Sequence, residues 1–591
     1  MRLSTELADD EPIALATLAA AFDAGIALFD TARAYAADEA NVGHNERLLA
    51  RAWRARATPP AARIVTKCGM SRDGGAWIPD GRAKSIADDV AASVEALGGL
   101  PIDVLLLHAP DTRVPLATSA RALARALDDG SVRAVGASNV SRKQLEELAQ
   151  HAPISVVEVA LGAYDDLAIR SGVVAYCLER GIEVFAHAPL GGPERALRLA
   201  KDPALAAIAS RFGAGAADVF LAYLFAAERR IVPIVGARRP ETIARLRIAS
   251  ALALGDEDLA ALDQRFPRLS ELRRPRVAGP RVVGTVDAAG SAEIVVLMGV
   301  PGAGKSRAAE AYMARGYERL NRDTAGGTLR AIAQTLEDRL AAGAKRVVLD
   351  NTYVTRASRS DVVRVAAAHG ARARCVFFDT PLSDAQVNVV LRMLERFGRV
   401  VPPEEMSELA RSDAAAIAPH ALSRMTRDLE PPALDEGFAD IDIVPFARDV
   451  AREGQPGVAI ALDSFAKLGA EGARPSELAR LLDGMAPRAP CLLYAWRPQA
   501  ETASLAALDE YAAIVRATGR PAEIAVCPHP GGPPICWCRP PFPALLLAFA
   551  HRHRVKLAAS TLFGKSATDR RVAQLLGMSF ADLGALAEGG D

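Results

Sequence analysis

Hydrophobic positions in the first 265 residues fall into short apolar runs separated by amphipathic stretches. The runs are IALFD, ARIVTK, IDVLLLH, VRAVGAS, SVVEVAL, IEVFAHA and IVPIVGA. Apolar runs of about four to eight residues are typical of buried strands, and the stretches between them have helical periodicity. Repeated βα units of this kind predict parallel strands closed into a (β/α)8 barrel.

The pattern restarts twice further along the chain. Residues 273–293 are rich in Pro, Gly, Arg and small residues and have no apolar periodicity, which is typical of a linker. New βα series then begin at EIVVLMG near 294 and at GVAIALD near 457. We therefore predict an α/β multidomain protein with a barrel at 1–268, a linker at 269–292, a doubly wound α/β domain at 293–450 and a third α/β domain at 451–591.

Composition narrows the class of protein. With 50% hydrophobic and 24% charged residues, the chain is expected to be globular. It contains no apolar stretch of about 18 residues and begins with an acidic segment, so we expect a cytoplasmic protein without a membrane partner. The 71 basic and 71 acidic residues cancel, which disfavours long-range attraction to extended nucleic acid but leaves open a single nucleic-acid end held in a pocket.

Four separated residues of the first domain sit at or just after the ends of predicted strands: Asp30, Tyr35, Lys67 and His108. In a parallel barrel these ends converge on one face. Carbonyl reduction needs a proton donor, and a tyrosine is too weak an acid without help. A neighbouring lysine, itself held by a carboxylate, would lower the tyrosine pKa. Taken singly, each residue could equally be a cap, a core histidine or a loop aromatic.

These residues occur in FDTARAY (29–35), VTKCG (65–69) and LLLHAPD (105–111). Together with GASNVS (136–141) and IVPIVGARRPETI (231–243), in this order, the motifs resemble the aldo-keto reductases. The resemblance implies NADPH and a small carbonyl substrate. It makes Tyr35 the acid, Lys67 and Asp30 its tuning pair, and His108 the group that orients the carbonyl.

The same resemblance implies a set of cofactor-binding residues. Ser138 and Asn139 would hold the nicotinamide carboxamide, and Glu158 stands beneath the ring where the family usually has glutamine. Gly236, Arg238 and Arg239 would follow the cofactor phosphates. Two guanidiniums there suit a 2′-phosphate, and so favour NADPH over NADH.

A phosphate-binding loop opens the second domain. GVPGAGKS (299–306) follows the strand EIVVLM and precedes a helical stretch, as the G-x-x-x-x-G-K-S/T motif requires. Gly299, Gly302 and Gly304 let backbone N–H groups turn toward the phosphates of ATP. Lys305 would reach the β and γ groups, and the Ser306 hydroxyl would bind Mg²⁺.

Two motifs further along the chain indicate which group accepts the phosphoryl group. NRDTAGG (321–327) and VVLDNTYVTRASR (347–359) resemble the polynucleotide kinases, which implies that Asp323 accepts the proton of an attacking 5′-hydroxyl of DNA or RNA. Arg392 and Arg396 lie four residues apart on a predicted helix, hence on one face, and by resemblance belong to a lid over ATP. A turn aspartate and a solvated basic helix face are the simpler alternatives.

The third domain carries Cys527, His529, Cys536 and Cys538 in a C-x-H-x₆-C-x-C arrangement, which can close a tetrahedron around a structural Zn²⁺. Buried thiols without metal are the alternative. The segment resembles the haloacid-dehalogenase phosphatases, but the motif residues depart from that family. Asp463 is kept, whereas Phe465, Ala495, Pro540 and Lys565 replace the second aspartate, the hydroxyl residue, the lysine and the late carboxylate. We predict a domain without phosphatase activity.

The sequence thus predicts a bifunctional enzyme, an NADPH-dependent carbonyl reductase joined to an ATP-dependent kinase for a 5′-hydroxyl of a nucleic acid or nucleoside. Two alternatives stay open. The barrel could be a nicotinamide-binding sensor on a scaffold in which only the kinase turns over, or the kinase could act on a small metabolite.

Overall fold

The computed structural model describes residues 3–6, 10–58, 60–273, 291–446, 454–465, 478, 480–482, 485, 488–498, 502–532 and 535–583. The chain divides into two compact units, Met1–Ala278 and Gly279–Asp591. The boundary between the units falls within the predicted linker, of which 274–290 lie outside the described residues.

The first unit is built around one parallel sheet. Its strands are β1 Leu28–Asp30, β2 Arg63–Cys68, β5 Val104–Leu107, β6 Val135–Ser138, β7 Ile154–Ala160, β8 Glu183–His187 and β9 Ile231–Ile234, in the order β1-β2-β5-β6-β7-β8-β9. A small antiparallel hairpin, β3 Met70–Asp73 and β4 Ala76–Pro79, follows β2. All seven strand patterns are therefore confirmed. Among the described residues, these seven strands form the barrel-like parallel sheet expected of the predicted (β/α)8 fold.

Helices cover the outside of this sheet. They are α1 Leu3–Glu6, α2 Glu11–Asp23, α3 His44–Arg54, α4 Ala83–Ala96, α5 Leu116–Asp128, α6 Arg142–Ala149, α7 Leu167–Arg170, α8 Val173–Glu179, α9 Pro193–Leu199, α10 Pro203–Phe212, α11 Ala216–Ala227, α12 Pro240–Ala251, α13 Asp256–Arg265 and α14 Pro267–Ser270. Because strands such as β5 (VLLL) are covered on both faces, every residue in that run is buried.

Local sequence explains where these helices begin and end. The Ser141 side chain accepts from the backbone N–H of Gln144, and the Gln144 side chain accepts from the Ser141 N–H, which is a capping box at the start of α6. Asp202 caps the start of α10, and Gly213, at φ +60°, ends that helix in the left-handed conformation. Among the described residues, no single helix has the length and hydropathy expected of a membrane span. The bent pair Pro203–Phe212 and Ala216–Ala227 meets the test only jointly, across a 95° break.

The second unit contains two parallel sheets. The first has strands β10 Glu293–Met298, β11 Glu318–Leu320, β12 Arg346–Asp350, β13 Arg372–Asp379 and β14 Asp440–Pro445, in the order β11-β12-β10-β13-β14. The second has β15 Val458–Ala461, β16 Cys491–Trp496, β17 Ala522–Cys527, β18 Thr561–Gly564 and β19 Ser579–Asp582, in the order β17-β16-β15-β18-β19. Both orders place the first strand of the sheet at its centre, as in doubly wound α/β folds.

The helices of this unit surround both sheets. They are α15 Lys305–Met313, α16 Arg322–Ala325, α17 Leu329–Ala341, α18 Arg356–Ala368, α19 Leu382–Phe397, α20 Pro403–Ser412, α21 Pro419–Arg427, α22 Leu462–Phe465, α23 Thr502–Ala517, α24 Ala544–His553 and α25 Ala567–Leu576. Short 3-10 turns occur at Leu434–Glu436 and Leu557–Ala559.

The two sheets of the second unit share an apolar core. Val390 and Leu394 of α19 belong to the same buried cluster as Leu547 of α24 and the fully buried Trp537. The Trp537 indole N–H also donates to the carbonyl of Ile417, at 2.7 Å. The segments predicted as second and third domains therefore pack together as one compact unit.

Candidate active sites

The four residues singled out in the barrel lie at one mouth of the sheet. Asp30 ends β1, Lys67 lies in β2, His108 follows β5 and Tyr35 lies in the loop after β1. The Lys67 ammonium donates to the Tyr35 hydroxyl at 3.2 Å and to the Asp30 carboxylate, and the rings of Tyr35 and His108 are 5.7 Å apart between centroids. All four side chains are buried. The structure thus brings together a phenol, an ammonium, an imidazole and a carboxylate from separate parts of the chain.

Burial dominates the electrostatics of this group. It raises the pKa of Tyr35 to about 12, although Lys67 acts in the opposite direction. Lys67 thus acts on the tyrosine pKa in the predicted direction, but burial, which the sequence did not indicate, outweighs it. Burial alone would lower the pKa of Lys67, but the neighbouring carboxyl groups, Asp30 foremost, outweigh burial and raise that pKa, so the ammonium stays protonated.

Glu158 belongs to the same cluster, which the sequence did not indicate. Strand β7 pairs with β6 so that Glu158 lies opposite Ser138, and its Oε2 is 3.2 Å from the Lys67 Nζ. Burial, and next the charge of Asp30, raise the pKa of Glu158 to about 8. Burial opposes ionisation of Asp30 too, but Lys67 lowers the Asp30 pKa. Glu158 therefore holds a proton at neutral pH and donates its hydrogen bond to Asp30.

The predicted cofactor residues surround the same mouth. The Asn139 amide donates to the His108 carbonyl at 3.1 Å and to the Ser138 hydroxyl at 3.0 Å. Asn139 adopts φ +57°, a conformation that asparagine tolerates better than most residues. Together these contacts hold the two polar side chains at the end of β6, beside the end of the neighbouring strand β5.

The predicted phosphate-contacting residues lie between β9 and α12. Gly236, Arg238 and Arg239 are exposed, and Arg239 immediately precedes the helix that begins at Pro240. A loop that leads from a barrel strand into a helix N-terminus is a common phosphate-binding geometry.

Trp77 is a site residue that sequence reasoning missed. It lies on the β3–β4 hairpin, 38% exposed, with its ring 6.1 Å from Tyr35 and 5.6 Å from His108 between centroids. Trp77 could have been recognised in the sequence as a single tryptophan in the segment that follows a barrel strand. Its position gives the mouth an apolar wall beside the phenol.

In the second unit, the phosphate-binding loop connects β10 to α15. Gly299, at φ +153°, and Gly304, at φ +98°, adopt backbone angles suited to glycine. The Lys305 ammonium donates to the carbonyls of Gly299 and Val300, at 2.8 and 3.0 Å, and burial lowers its pKa to about 8. Gly302, also in the left-handed region at φ +82°, and the exposed Ser306 complete the loop.

The loop opens into a cavity of about 1850 Å³ that Asp323 and Asp350 also line. Asp323 lies in the first turn of α16 and is exposed, whereas Asp350 is buried at the end of β12. Asn351 accepts from the backbone N–H of Arg322 at 2.7 Å, which ties the Asp323 segment to the second strand end. The two predicted motifs thus converge on the phosphate-binding loop.

Arg392 and Arg396, the two arginines predicted to belong to a lid over ATP, differ in their surroundings. Arg392 lines the cavity, with its guanidinium bonded to the Ala414 carbonyl at 2.6 Å. Arg396 does not line the described part of the cavity, and its guanidinium donates to the carboxylate of Asp413, which does, at 2.7 Å. Contact of both arginines with ATP phosphates stays a prediction, and Arg392 is the one that lines the cavity.

The cysteine–histidine cluster of the second unit assembles as predicted. The ligand atoms of Cys527, His529, Cys536 and Cys538 all lie within 4.8 Å of one another. The Sγ of Cys527 is 3.8 Å from that of Cys536 and 3.4 Å from that of Cys538, and the His529 Nδ1 is 3.2 Å from the Cys538 Sγ. Tetrahedral Zn²⁺ with such ligands places them about 3.5–3.8 Å apart, so the donor set and the spacing fit that ion.

Asp463, which the sequence resemblance makes the remnant of a phosphatase site, is bound by other groups of the protein. The Asp463 carboxylate accepts from the Arg497 guanidinium and from the Trp496 backbone N–H. Phe465 and Ala495 are buried in the apolar core. A carboxylate held by a guanidinium is a poor nucleophile, since the ion pair stabilises its resting charge.

Three comparisons relate the chain to known proteins. The sequence profile of the aldo/keto reductase family matches residues 1–265, and a profile described as an AAA domain matches residues 294–415. The NADH-specific methylglyoxal reductase of Escherichia coli is 29% identical over 196 residues, which is 31% of this chain and 57% of that protein. The aldo-keto reductase YhdN of Bacillus subtilis is 25% identical over 181 residues, or 31% of this chain and 53% of that protein. The chain spans little more than half the length of these curated relatives.

Among solved structures, the glycerol dehydrogenase of Gluconobacter oxydans is 24% identical, with a TM-score of 0.39. The match covers 47% of this chain and 91% of that one.

Proposed function

Residues 1–265 form an aldo/keto reductase domain, and we propose that this domain reduces a small carbonyl compound with NADPH. The observation that carries the proposal is the convergence of Tyr35, Lys67, Asp30 and His108 at one mouth of the sheet. Bound NADPH would supply the hydride to the carbonyl carbon. Tyr35 would give its hydroxyl proton to the carbonyl oxygen, and His108 would orient that oxygen by donating a hydrogen bond.

Lys67 makes this proton transfer feasible in a buried site. Its ammonium faces the phenol oxygen at 3.2 Å, so it stabilises the phenolate that forms when the proton leaves. Asp30 keeps the ammonium in place. Trp77 would exclude water on the side of the carbonyl substrate, since its ring stands beside both Tyr35 and His108.

We propose that Ser138, Asn139 and Glu158 lie along the nicotinamide, and that Gly236, Arg238 and Arg239 contact the phosphates. The choice between the two nicotinamide cofactors follows from charge. Arg238 and Arg239 offer two guanidiniums to a 2′-phosphate, which favours NADPH. The Escherichia coli relative is described as specific for NADH. Both cofactors should therefore be titrated by fluorescence and assayed at 340 nm with methylglyoxal and simple aldehydes. NADPH should bind at least tenfold more tightly, and replacing both arginines with alanine should remove the difference.

The alternative role of the barrel, a nicotinamide-binding sensor, is tested by the same assay. A sensor would oxidise one equivalent of NADPH slowly and stop, whereas an enzyme would turn over repeatedly. The buried Glu158 beside Lys67 is the feature that favours a sensor, because it adds a titrating carboxyl to the tetrad.

For the second unit we propose an ATP-dependent kinase. The phosphate-binding loop, Asp323 and Arg392 line one cavity, which supports transfer of a phosphoryl group rather than nucleotide binding alone. Lys305 and Ser306 would hold the β and γ phosphates and Mg²⁺, and Asp323 would take the proton of the attacking hydroxyl. Transfer of labelled γ-phosphate to 5′-hydroxyl DNA and RNA oligonucleotides, beside a panel of nucleosides and sugars, separates a nucleic-acid acceptor from a small metabolite. ATP hydrolysis that no acceptor accelerates would contradict the kinase.

We also propose that Cys527, His529, Cys536 and Cys538 bind a structural Zn²⁺ and that the surrounding haloacid-dehalogenase-like segment has no phosphatase activity. The short distances among the four ligand atoms support the first part. The ion pair of Asp463 with Arg497 supports the second. Metal-dependent release of phosphate from 3′- or 5′-phosphorylated oligonucleotides would contradict it.

A further inference from the structure

The cavity at the phosphate-binding loop is larger than a nucleotide requires. Its volume is about 1850 Å³. Sites for a single small ligand usually enclose about 300–1,000 Å³. A second ligand therefore has room beside ATP within the same cavity.

The wall of this cavity includes a part of the chain far from the kinase motifs. His551 on α24, and Arg554, Lys556 and Leu557 just after it, line the same cavity as Lys305 and Asp323. These wall residues follow the cysteine–histidine cluster in sequence and lie on the helix and turn that connect β17 to β18, in the sheet whose first strand precedes Asp463. The segment without phosphatase residues thus contributes directly to the kinase cavity.

Packing holds this wall in place. Leu547 on α24 shares a buried cluster with Val390 and Leu394 of α19, the helix that also presents Arg392 to the cavity. The residues after α24 are fixed by backbone hydrogen bonds with Gln455. The Gln455 N–H donates to the Arg554 carbonyl at 3.1 Å, and the Lys556 N–H donates to the Gln455 carbonyl at 2.8 Å.

The charge of the cavity is unlike that of the whole chain. Among the residues that the structure describes, seven lysine and arginine side chains line the cavity against four carboxylates, whereas the whole chain carries 71 of each sign. Part of this excess is expected, since the phosphate-binding loop must neutralise ATP. Arg554 and Lys556 add two cations on a wall that contains no nucleotide-binding motif, and within the described ranges no ion pair involves either of them.

We propose that residues 551–557 form the acceptor-binding wall of the kinase, in which Arg554 and Lys556 contact phosphate groups of a polyanionic acceptor. This inference rests on the proposed kinase function and deepens it. The acceptor would be a 5′-hydroxyl oligonucleotide whose reacting end lies at Asp323 and whose following phosphates run along the wall. A free nucleoside has no phosphate to offer these cations, so it would gain nothing from them.

The test compares two double variants of the full chain. Arg554→Ala/Lys556→Ala removes the two wall cations. Arg552→Ala/Arg570→Ala removes two exposed cations outside the cavity, which pair with Glu523 and Asp582. Both variants lose the same net charge, so the general field of the protein changes equally. Steady-state phosphorylation of a 5′-hydroxyl oligonucleotide of about eight nucleotides and of the matching nucleoside is measured from about 50 to 200 mM salt.

The wall variant should raise the KM for the oligonucleotide about tenfold or more while leaving the KM for the nucleoside and the Kd for Mg·ATP within twofold. Loss of two phosphate contacts should also reduce the slope of log KM against log salt by about 1.4. The control variant should resemble the unaltered protein. Lys556→Ala alone, which leaves the left-handed Arg554 in place, should show about half the change in slope.

Equal KM values for the oligonucleotide in the unaltered protein and both wall variants would overturn the inference while leaving the kinase intact. An equal rise of the oligonucleotide KM in the control variant would overturn the inference too, because the effect would then come from the net charge of the protein. If the unaltered protein phosphorylates neither the oligonucleotide nor the nucleoside, the proposed kinase function fails, and the inference fails with it.

Discussion

Glu158 lies within 3.2 Å of the Lys67 ammonium and shares a hydrogen bond with Asp30, so one buried cation faces two carboxyl groups and the phenol of Tyr35. Two carboxylates and one ammonium would leave a net negative charge in a buried site. The cluster avoids that cost because Glu158 keeps its proton, with a pKa raised to about 8. The protonation state of Glu158 therefore sets the charge beside the proposed proton donor.

The first prediction is that Glu158→Gln extends the alkaline limit of carbonyl reduction. Near neutral pH a glutamine closely resembles the protonated carboxyl, so kcat should stay within about threefold of the unaltered protein. Above about pH 8, Glu158 loses its proton, and the new charge opposes formation of the Tyr35 phenolate. The kcat of the unaltered protein should then fall while that of the variant holds. Coincident pH–rate profiles would show that Glu158 does not influence the phenol.

The second prediction concerns stability. The pKa of Glu158 is about 8 in the folded protein and near its ordinary value of 4.5 in the unfolded chain. The folded state thus binds the extra proton between these values. The contribution of Glu158 is fully present below about pH 4.5 and is lost as pH rises through 8. Urea unfolding at pH 6 and 9 should show that Glu158→Gln gains stability relative to the unaltered protein at the higher pH. If the two proteins differ in free energy of unfolding by the same amount at both pH values, Glu158 does not carry a buried proton.

The third prediction is that Tyr35→Phe lowers kcat for carbonyl reduction by about 10²–10⁴-fold, since it removes the proposed acid. The Kd for NADPH, measured by fluorescence quenching, should change by less than about twofold because the ring is retained. Tyr176→Phe is the matched control, a buried tyrosine on an outer helix of the same unit. Full activity in Tyr35→Phe would assign the proton donation to another group.

The convergence of the four barrel residues at one mouth of the sheet could be predicted from the sequence, because it follows from the order and direction of the strands. Seven apolar runs determine seven strands, and residues at the carboxyl ends of parallel strands meet at one face. Asp30, Lys67 and His108 could be placed by that rule alone. The contact of Glu158 with Lys67 could not, since it depends on the register of β7 against β6 and on the burial of both side chains.

Other contacts that the sequence did not predict have the same physical origin. Arg392 and Arg396 were assigned together because residues four apart share a helix face, but helix geometry does not say which acceptor each guanidinium finds. Asp413, in the segment after α20, captures Arg396. Likewise, Val390, Leu394 and Leu547 share one apolar core because of packing between helices far apart in the sequence. The periodicity of each helix shows which face is apolar but not which helix it packs against.

The fourth prediction separates binding from chemistry in the kinase. Asp323→Asn should lower kcat for phosphoryl transfer by about 10²–10⁴-fold with little change in the Kd for Mg·ATP, because the proposed base is lost while the phosphate-binding loop is intact. Asp338→Asn, an exposed aspartate on α17, is the matched control. Lys305→Ala should abolish transfer and leave NADPH oxidation unchanged, since the two sites lie in separate units. Loss of both activities in Lys305→Ala would contradict independent sites.

The fifth prediction concerns the cysteine–histidine cluster, whose four ligands come from two short segments, Cys527 with His529 and Cys536 with Cys538. A metal that joins these segments stabilises the folded state by its binding free energy, because the unfolded chain does not hold the ligands together. The purified protein should therefore contain about one zinc per chain by elemental analysis, and a chelator should lower Tm. The Cys536→Ser/Cys538→Ser variant should contain no zinc, and its Tm should not change with the chelator. Cys375 is a buried cysteine of β13, and the Cys375→Ala variant should keep its zinc and its response to the chelator. Since Trp537 lies between the two mutated cysteines and donates to the carbonyl of Ile417, which lines the cavity, loss of zinc should also loosen this side of the cavity and raise the KM for the acceptor. An oligonucleotide KM that is unchanged in the zinc-free variant would show that the cluster stabilises its own segment alone.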